Sequence, residues 1–361
     1  MLARFFKGTQ LQKARRAFGW SERDVAQGLG VRVEEVVAWE EEGNPPNPSQ
    51  LETLAAIFGV REEYFLRITP ETPTGAYFRG AERAQPAELS PATRKAMFSF
   101  YELCRYQKQL EDLLARAARP EVPHYEPTDP EDAAQWVREV LGLGSRPVTD
   151  VDALLFRQNI KIFRLEIPGE EFSGLSVWDP SFGPAVLVEA RDPYYRQRFT
   201  LCHEYGHFVA GGDRPSEATV CDLDWEKAPE RLINRFAAAL LVSRHASELW
   251  TFAEQYPKPE PEELDTLCQH FRVSREVIAR RLVELEMSRA ELIKEVQLVG
   301  LAGAPPARWH GRRPSWKRRL GQRYLRLARD AYRRNLISLG KLAEYLGTDA
   351  ETALAFGQGE T

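Results

Sequence analysis

Two of the chain's six histidines stand four residues apart with a glutamate between them, in the run His203-Glu204-Tyr205-Gly206-His207. On an α-helix that spacing stacks both imidazoles on one face, so a single metal ion can touch both. Glu204 then falls at the edge of the open coordination position. The alternative is that two histidines fell four apart by chance on a surface helix. The preceding stretch, Arg198 to Cys202, is expected to carry the helix start, with Thr200 as a cap. Cys202 would point about 100° away from His203, which suits a buried structural thiol better than a ligand.

Catalytic zinc usually takes three protein ligands and one water. The downstream carboxylates are Asp213, Glu217, Asp222, Asp224, Glu226 and Glu230. Glu230 opens an apolar helix and shares a face with Ile233, Asn234, Ala237 and Leu241. That face must pack inward, where a carboxylate is costly without a cation. The others lie in a polar, loop-like stretch. Glu230 could instead complement the helix dipole beside Pro229. Pattern favours the ligand without closing the question.

At 361 residues the chain exceeds one ordinary core, and two or three domains are expected. The organisation read along it is a helical unit over 1–69, then a proline-rich linker and a long helix (opened by Ser90-Pro91) over 70–127. A central unit follows over 128–255, a small helical subdomain over 256–300 and a basic helical C-terminal region over 301–361. In the central unit, Lys161 to Leu165 reads as a strand, and Gly174 to Trp178 with Ala185 to Glu189 as an antiparallel pair. The fold class is therefore α+β, mostly α, with a small antiparallel or mixed sheet. Four cysteines without a C-x-x-C pair argue against a disulfide scaffold and suit a reducing cytosol. A formal net charge of -4 excludes a chain that is basic throughout. No stretch approaches the roughly 18 apolar residues of a membrane span, and the N-terminus has no secretory signal pattern. A soluble, cytoplasmic protein is expected.

The run from Ser173 through Ser243 resembles the ImmA/IrrE family of zinc metallopeptidases. That family typically shows R-x-R-F-T-x-x-H-E-x-G-H followed by E-x-x-(A/C)-N-x-F-A-x-x-L-L. The first block is complete here, and Glu230, Asn234, Phe236, Ala237, Leu240 and Leu241 fill the second. Ile233 replaces the usual small residue, and Ser243 stands where proline is common. The resemblance covers roughly residues 130 to 300. It implies a zincin-like domain in which His203, His207 and Glu230 bind Zn2+ and Glu204 is the catalytic base. It also implies a protein substrate, a transcriptional repressor cleaved in a stress or mobile-element response. From the strand pattern, an exposed edge at Ser173 to Trp178 or Ala185 to Glu189 is expected to hold the substrate as an added strand.

Leu11 to Leu66 resembles the helix-turn-helix domain of the XRE family, through Gly19-Trp-Ser21, Leu29-Gly30-Val31, Trp39-Glu40 and Phe58-Gly59-Val60. Its reading helix would be about Val33 to Glu42, which in such domains enters the major groove. Here that helix holds Glu34, Glu35, Glu40, Glu41 and Glu42, with Arg32 just before it. Phosphate attraction needs Lys and Arg, so this face works against DNA and opens a protein-recognition role beside the DNA-binding one. Residues 308–334 contain eleven Lys or Arg interleaved with aromatics. Arg312, Arg313, Lys317, Arg318 and Arg319 are the nucleic-acid candidates there. The competing reading is a solvated helix face over a core stripe of Leu320, Tyr324, Leu327 and Ala331. Two functions follow. One is a zinc endopeptidase fused to a repressor-type domain; the other is a DNA-binding regulator or toxin–antitoxin component whose zinc domain senses rather than cuts.

Overall fold

The computed structural model describes residues 5–17, 20–41, 43–58, 62–66, 91–116, 120–125, 129–167, 172–211, 218–221, 223, 225, 228–299 and 315–359. The expected linker, the carboxylates Asp213, Glu217, Asp222, Asp224 and Glu226, and the basic residues Arg312 and Arg313 lie outside them.

Four short helices open the chain: α1 (Gly8–Ala17), α2 (Glu22–Leu29), α3 (Val33–Glu40) and α4 (Pro48–Phe58). A capping box between Ser21 and Asp24 starts α2. The helices close around Leu11, Val25, Val36, Trp39, Leu54 and Phe58, all buried. Helix α3 is the expected reading helix. Its Glu40 is turned inward and takes two hydrogen bonds from Arg15 of α1, at 2.6 and 2.7 Å. Glu35 pairs with Arg32 at 3.2 Å, while Glu34 and Glu41 stay exposed. Part of the acidity read along this helix is therefore structural.

After α5 (Pro91–Leu113) come α6 (Pro130–Val140) and α7 (Val151–Arg157), capped by Asp129 and Asp150. The strands are β1 (Lys161–Leu165), β2 (Gly174–Asp179), β3 (Gly183–Glu189) and, beyond α8 (Tyr194–Gly211), β4 (Ala218–Cys221). They form one mixed sheet in the order β1-β3-β2-β4, with β1 parallel to β3 and the other pairs antiparallel. This corrects the expected substrate-binding edge: β2 and β3 are both internal, and the edges are β1 and β4. The sequence hides this because β4 sits in a polar stretch without period-two alternation.

Helices α9 (Ala228–Leu241), α10 (Ser247–Gln255), α11 (Asp265–Phe271), α12 (Arg275–Glu284) and α13 (Glu291–Val299) follow, then α14 (Trp316–Arg333), α15 (Leu339–Leu346) and α16 (Ala350–Gln358). Strand alternation divides the interior into two cores. Val186 and Val188 of β3 face α8, α9 and the helices around them. Ala185 and Leu187, with Leu175 and Val177 of β2, face α5 and α14 to α16. The stripe expected on α14 is buried there: Leu320, Tyr324, Leu327 and Ala331. Among the described residues, no helix is long and apolar enough to cross a membrane.

Candidate metal centre

Helix α8 starts from the Pro193 carbonyl, which accepts from the N–H groups of Arg196 and Gln197. Thr200 is therefore not the cap expected from sequence. It lies inside the helix, and its Oγ1 donates to the Arg196 carbonyl at 3.0 Å. Proline, with φ already fixed for a helix entrance, moved the start upstream. Cys202 is fully buried, and burial pushes its thiol up to about 12. It plays the packing role expected of it.

One turn apart on α8, His203 and His207 bring their Nε2 atoms to 3.2 Å. Glu230, in the first turn of α9, places Oε2 3.0 Å from His203 Nε2. One ligand atom from each of the three lies within 4.8 Å of the others, and no fourth His, Cys, Asp or Glu joins the group among the described residues. Ligands bound to zinc at 2.0–2.1 Å and tetrahedral angles lie roughly 3.3 Å apart. The observed separations are close to that.

The hydrogen-bond pattern fits a cation as well. His203 Nδ1–H donates to Asn234 Oδ1 at 2.8 Å, so the neutral tautomer this bond selects has its Nε2 lone pair toward Glu230. Glu230 Oε2 is buried and takes no hydrogen bond. An anionic oxygen facing a nitrogen lone pair is repulsive unless something positive lies between them. His207, pressed by burial and by the neighbouring His203 ring, has its pKa held well below the usual imidazole value. It is neutral at physiological pH and able to act as a ligand. The donor set, two imidazoles and a carboxylate with no thiolate, suits zinc with one position left open.

Two glycines make this closeness achievable. A Cβ on Gly206 would lie 2.8 Å from Phe236 Cδ1 and 3.0 Å from Ile233 Cγ2, so the bare backbone lets α9 approach α8. Ile233, bulkier than the family's usual residue, fits over that gap. A Cβ on Gly174 would lie 2.5 Å from Glu204 Oε1. Strand β2 thus runs against the Glu204 carboxylate, which is fully buried. Neither Asn234 as the partner of His203 nor Gly174 as the neighbour of Glu204 was assigned from sequence. A buried asparagine one helical turn after Glu230 was the available signal for the first.

Three buried arginines lock the surrounding helices without burying a matching number of acids. Arg138 donates to the carbonyls of Gly144, Arg146 and Leu240. Arg198 donates to those of Val148, Phe271 and Arg272. Arg281 reaches the Val242 carbonyl at 3.1 Å and pairs with Glu131 at 2.6 Å. Carbonyls left open at helix ends are met in this way.

Of the basic residues singled out near the C-terminus, Lys317 lies over the Trp316 ring at 5.4 Å and Arg319 pairs with Glu166 at 2.8 Å. Arg318 is exposed. None of the three approaches the His-His-Glu cluster.

Residues 156–283 match the family model described as the IrrE N-terminal-like domain, an M78 peptidase domain, and residues 11–65 match the model described as helix-turn-helix. No curated protein matches the chain. The first match spans the sheet, both helices that hold the cluster and the helices clasped by Arg198, and the second spans the N-terminal bundle. The chain therefore carries an XRE-type helix-turn-helix domain followed by a metallopeptidase domain of the ImmA/IrrE family.

Proposed function

We propose that the chain is a zinc endopeptidase of the H-E-x-x-H plus Glu type, linked through its helix-turn-helix domain to transcription regulation. The observation that carries this reading is the convergence of His203, His207 and Glu230 beside a carboxylate, Glu204, that is not a member of the ligand group. A purely structural zinc site closes its fourth position with another protein ligand and has no use for such a neighbour. Zinc held there would supply Lewis acidity, lowering the pKa of water and polarising a peptide carbonyl.

The protein's own residues do the rest. Asn234 holds the His203 ring in the tautomer that presents Nε2. Glu204, kept in place by α8 on one side and the Gly174 backbone on the other, takes a proton from the attacking water and passes it to the leaving nitrogen as the amide bond breaks. The buried surroundings strengthen each of these electrostatic interactions. The substrate proposed is a transcriptional repressor, which the fused helix-turn-helix domain brings within reach, and cleavage would relieve repression.

The test is the Glu204→Gln variant of the full chain, incubated with candidate transcriptional repressors, beginning with any encoded in a neighbouring reading frame. Native protein should bind about one zinc per chain and cut the repressor. Glu204→Gln should bind zinc equally and leave the repressor intact, a loss of at least about 10²-fold in rate. Cleavage by the variant at the native rate, or a native chain that binds no zinc, would overturn the proposal. The sensing alternative predicts the opposite pattern, with regulatory activity preserved in Glu204→Gln.

A further inference from the structure

A cavity of about 830 Å3 lies away from the His-His-Glu cluster, where α7, β1, the start of α8 and the N-terminal half of α14 meet. Its volume falls within the roughly 300–1,000 Å3 of small-molecule sites. The lining holds eight Lys and Arg side chains against two carboxylates, Asp150 and Asp152. Both carboxylates are already committed. Asp150 caps α7 by accepting from Ala153 N at 2.9 Å, and both oxygens of Asp152 accept from Arg164 Nη2, at 2.6 and 2.9 Å. Glu111, just beyond the lining, holds Arg323 at 3.0 Å and Lys161 at 3.4 Å. Arg157, Lys317, Arg318 and Arg326 make no ion pair among the described residues. They come from two different helices, so the excess charge is not one solvated face.

The rest of the wall is apolar and aromatic. Phe156 has the guanidinium groups of both Arg323 and Arg326 at 5.3 Å from its ring centroid, and Ile160, Ile162 and Leu320 extend the surface. The shape depends on a break in α14 at Gly321, which adopts φ 75° and ψ 156°. A side chain is disfavoured at that φ. The break allows the segment with Lys317 and Arg318 to leave the axis of the longer helix that follows.

We propose that this cavity binds a phosphorylated small molecule of nucleotide size. Its phosphates lie toward Arg157, Lys317 and Arg318, where uncompensated positive charge converges. Its flat, apolar part lies against Phe156 and Ile160. A discrete molecule is favoured over a nucleic-acid strand because the site is a bounded cavity rather than a track of cations along the surface. The site is independent of the peptidase reading, although Tyr194 and Gln197 place its occupant against the helix that also holds His203.

Calorimetric titration of the full chain, at about 0.1 M salt where surface charge is screened beyond about 10 Å, tests this. The probes are ATP, AMP, inorganic phosphate and a single-stranded oligonucleotide. ATP or AMP should bind at one site per chain with Kd below about 100 µM. The double variant Lys317→Glu/Arg318→Glu should weaken that binding by at least about tenfold, since both phosphate-facing charges reverse. Lys294→Glu, an exposed charge reversal on α13, should leave it within about twofold. Four results would each overturn the proposal: no nucleotide binding at about 1 mM, equal affinity in the double variant, phosphate alone binding as tightly as ATP, or capture of the oligonucleotide without either mononucleotide.

Discussion

On one face of the sheet, α8 and α9 bury His203, Glu204 and Asn234 and half-bury His207 and Glu230, while on the other α14 keeps most of its Lys and Arg at the rim and buries an aliphatic and aromatic stripe. The first face needs particular atoms at particular places: His203 Nε2 faces Glu230 Oε2 at 3.0 Å, and neither could be stripped of water without a counter-charge. The second rests mainly on volume and leaves most of its α14 charges in water, although Arg323 and the buried Lys161 pair there with the buried Glu111. A polar residue turned inward is therefore specific in identity, whereas one turned outward is specific only in sign.

Substitutions on the two faces should differ accordingly. The largest effect belongs to Glu230→Ala. Metal content should fall from about one per chain to near zero, peptidase activity should be lost, and the stabilisation given by bound metal should vanish. That last loss is about 4 kcal/mol if the metal is present at a thousand times its Kd. Metal analysis with thermal unfolding checks it, and full metal retention would end the contrast between the faces. Asn234→Ala should come next, weakening metal affinity by about 10- to 100-fold through the freed His203 ring while the fold persists. An unchanged affinity in competition with a chelator would show that packing alone orients the ring. The smallest effect is expected at Tyr324→Phe, the one hydroxyl within the α14 stripe. Its OH donates to the Tyr345 carbonyl at 2.8 Å, and removing it should cost about 1 kcal/mol in denaturant unfolding with zinc binding untouched. A larger loss there would mean that the second face is as particular as the first.

The same contrast governs what the sequence made legible. The cluster was readable because its demands are local: a four-residue step, about one helical turn, for the histidines, and an inward-facing first-turn carboxylate for Glu230. The strands Lys161 to Leu165, Gly174 to Trp178 and Ala185 to Glu189 were readable from alternation, and the stripe on α14 from helical period. What escaped depended on distant partners. Strand β4 pairs with β2 across a gap of more than thirty residues and has no alternation of its own, so β2 reads as an edge in the sequence. Thr200 is as good a cap as Pro193 is a helix opener, and composition does not say which prevails. Glu40 reads as an acid on a DNA-facing helix until Arg15, from another helix, is seen to hold it. The basic cavity was invisible because its cations come from α7, β1, the end of α11 and α14, which only the folded chain brings together.

Arg198 has a consequence for anyone seeking a minimal catalytic fragment. Its guanidinium is sealed inside, spanning from the histidine-bearing helix to the carbonyls of Val148, Phe271 and Arg272. A fragment trimmed after α10 would leave a permanently ionised group in the interior with two of its three acceptors, the carbonyls of Phe271 and Arg272, cut away, and would be expected to precipitate instead of reporting on catalysis. The smallest autonomous unit therefore has to reach at least from Val148 to Arg272, at the end of α11.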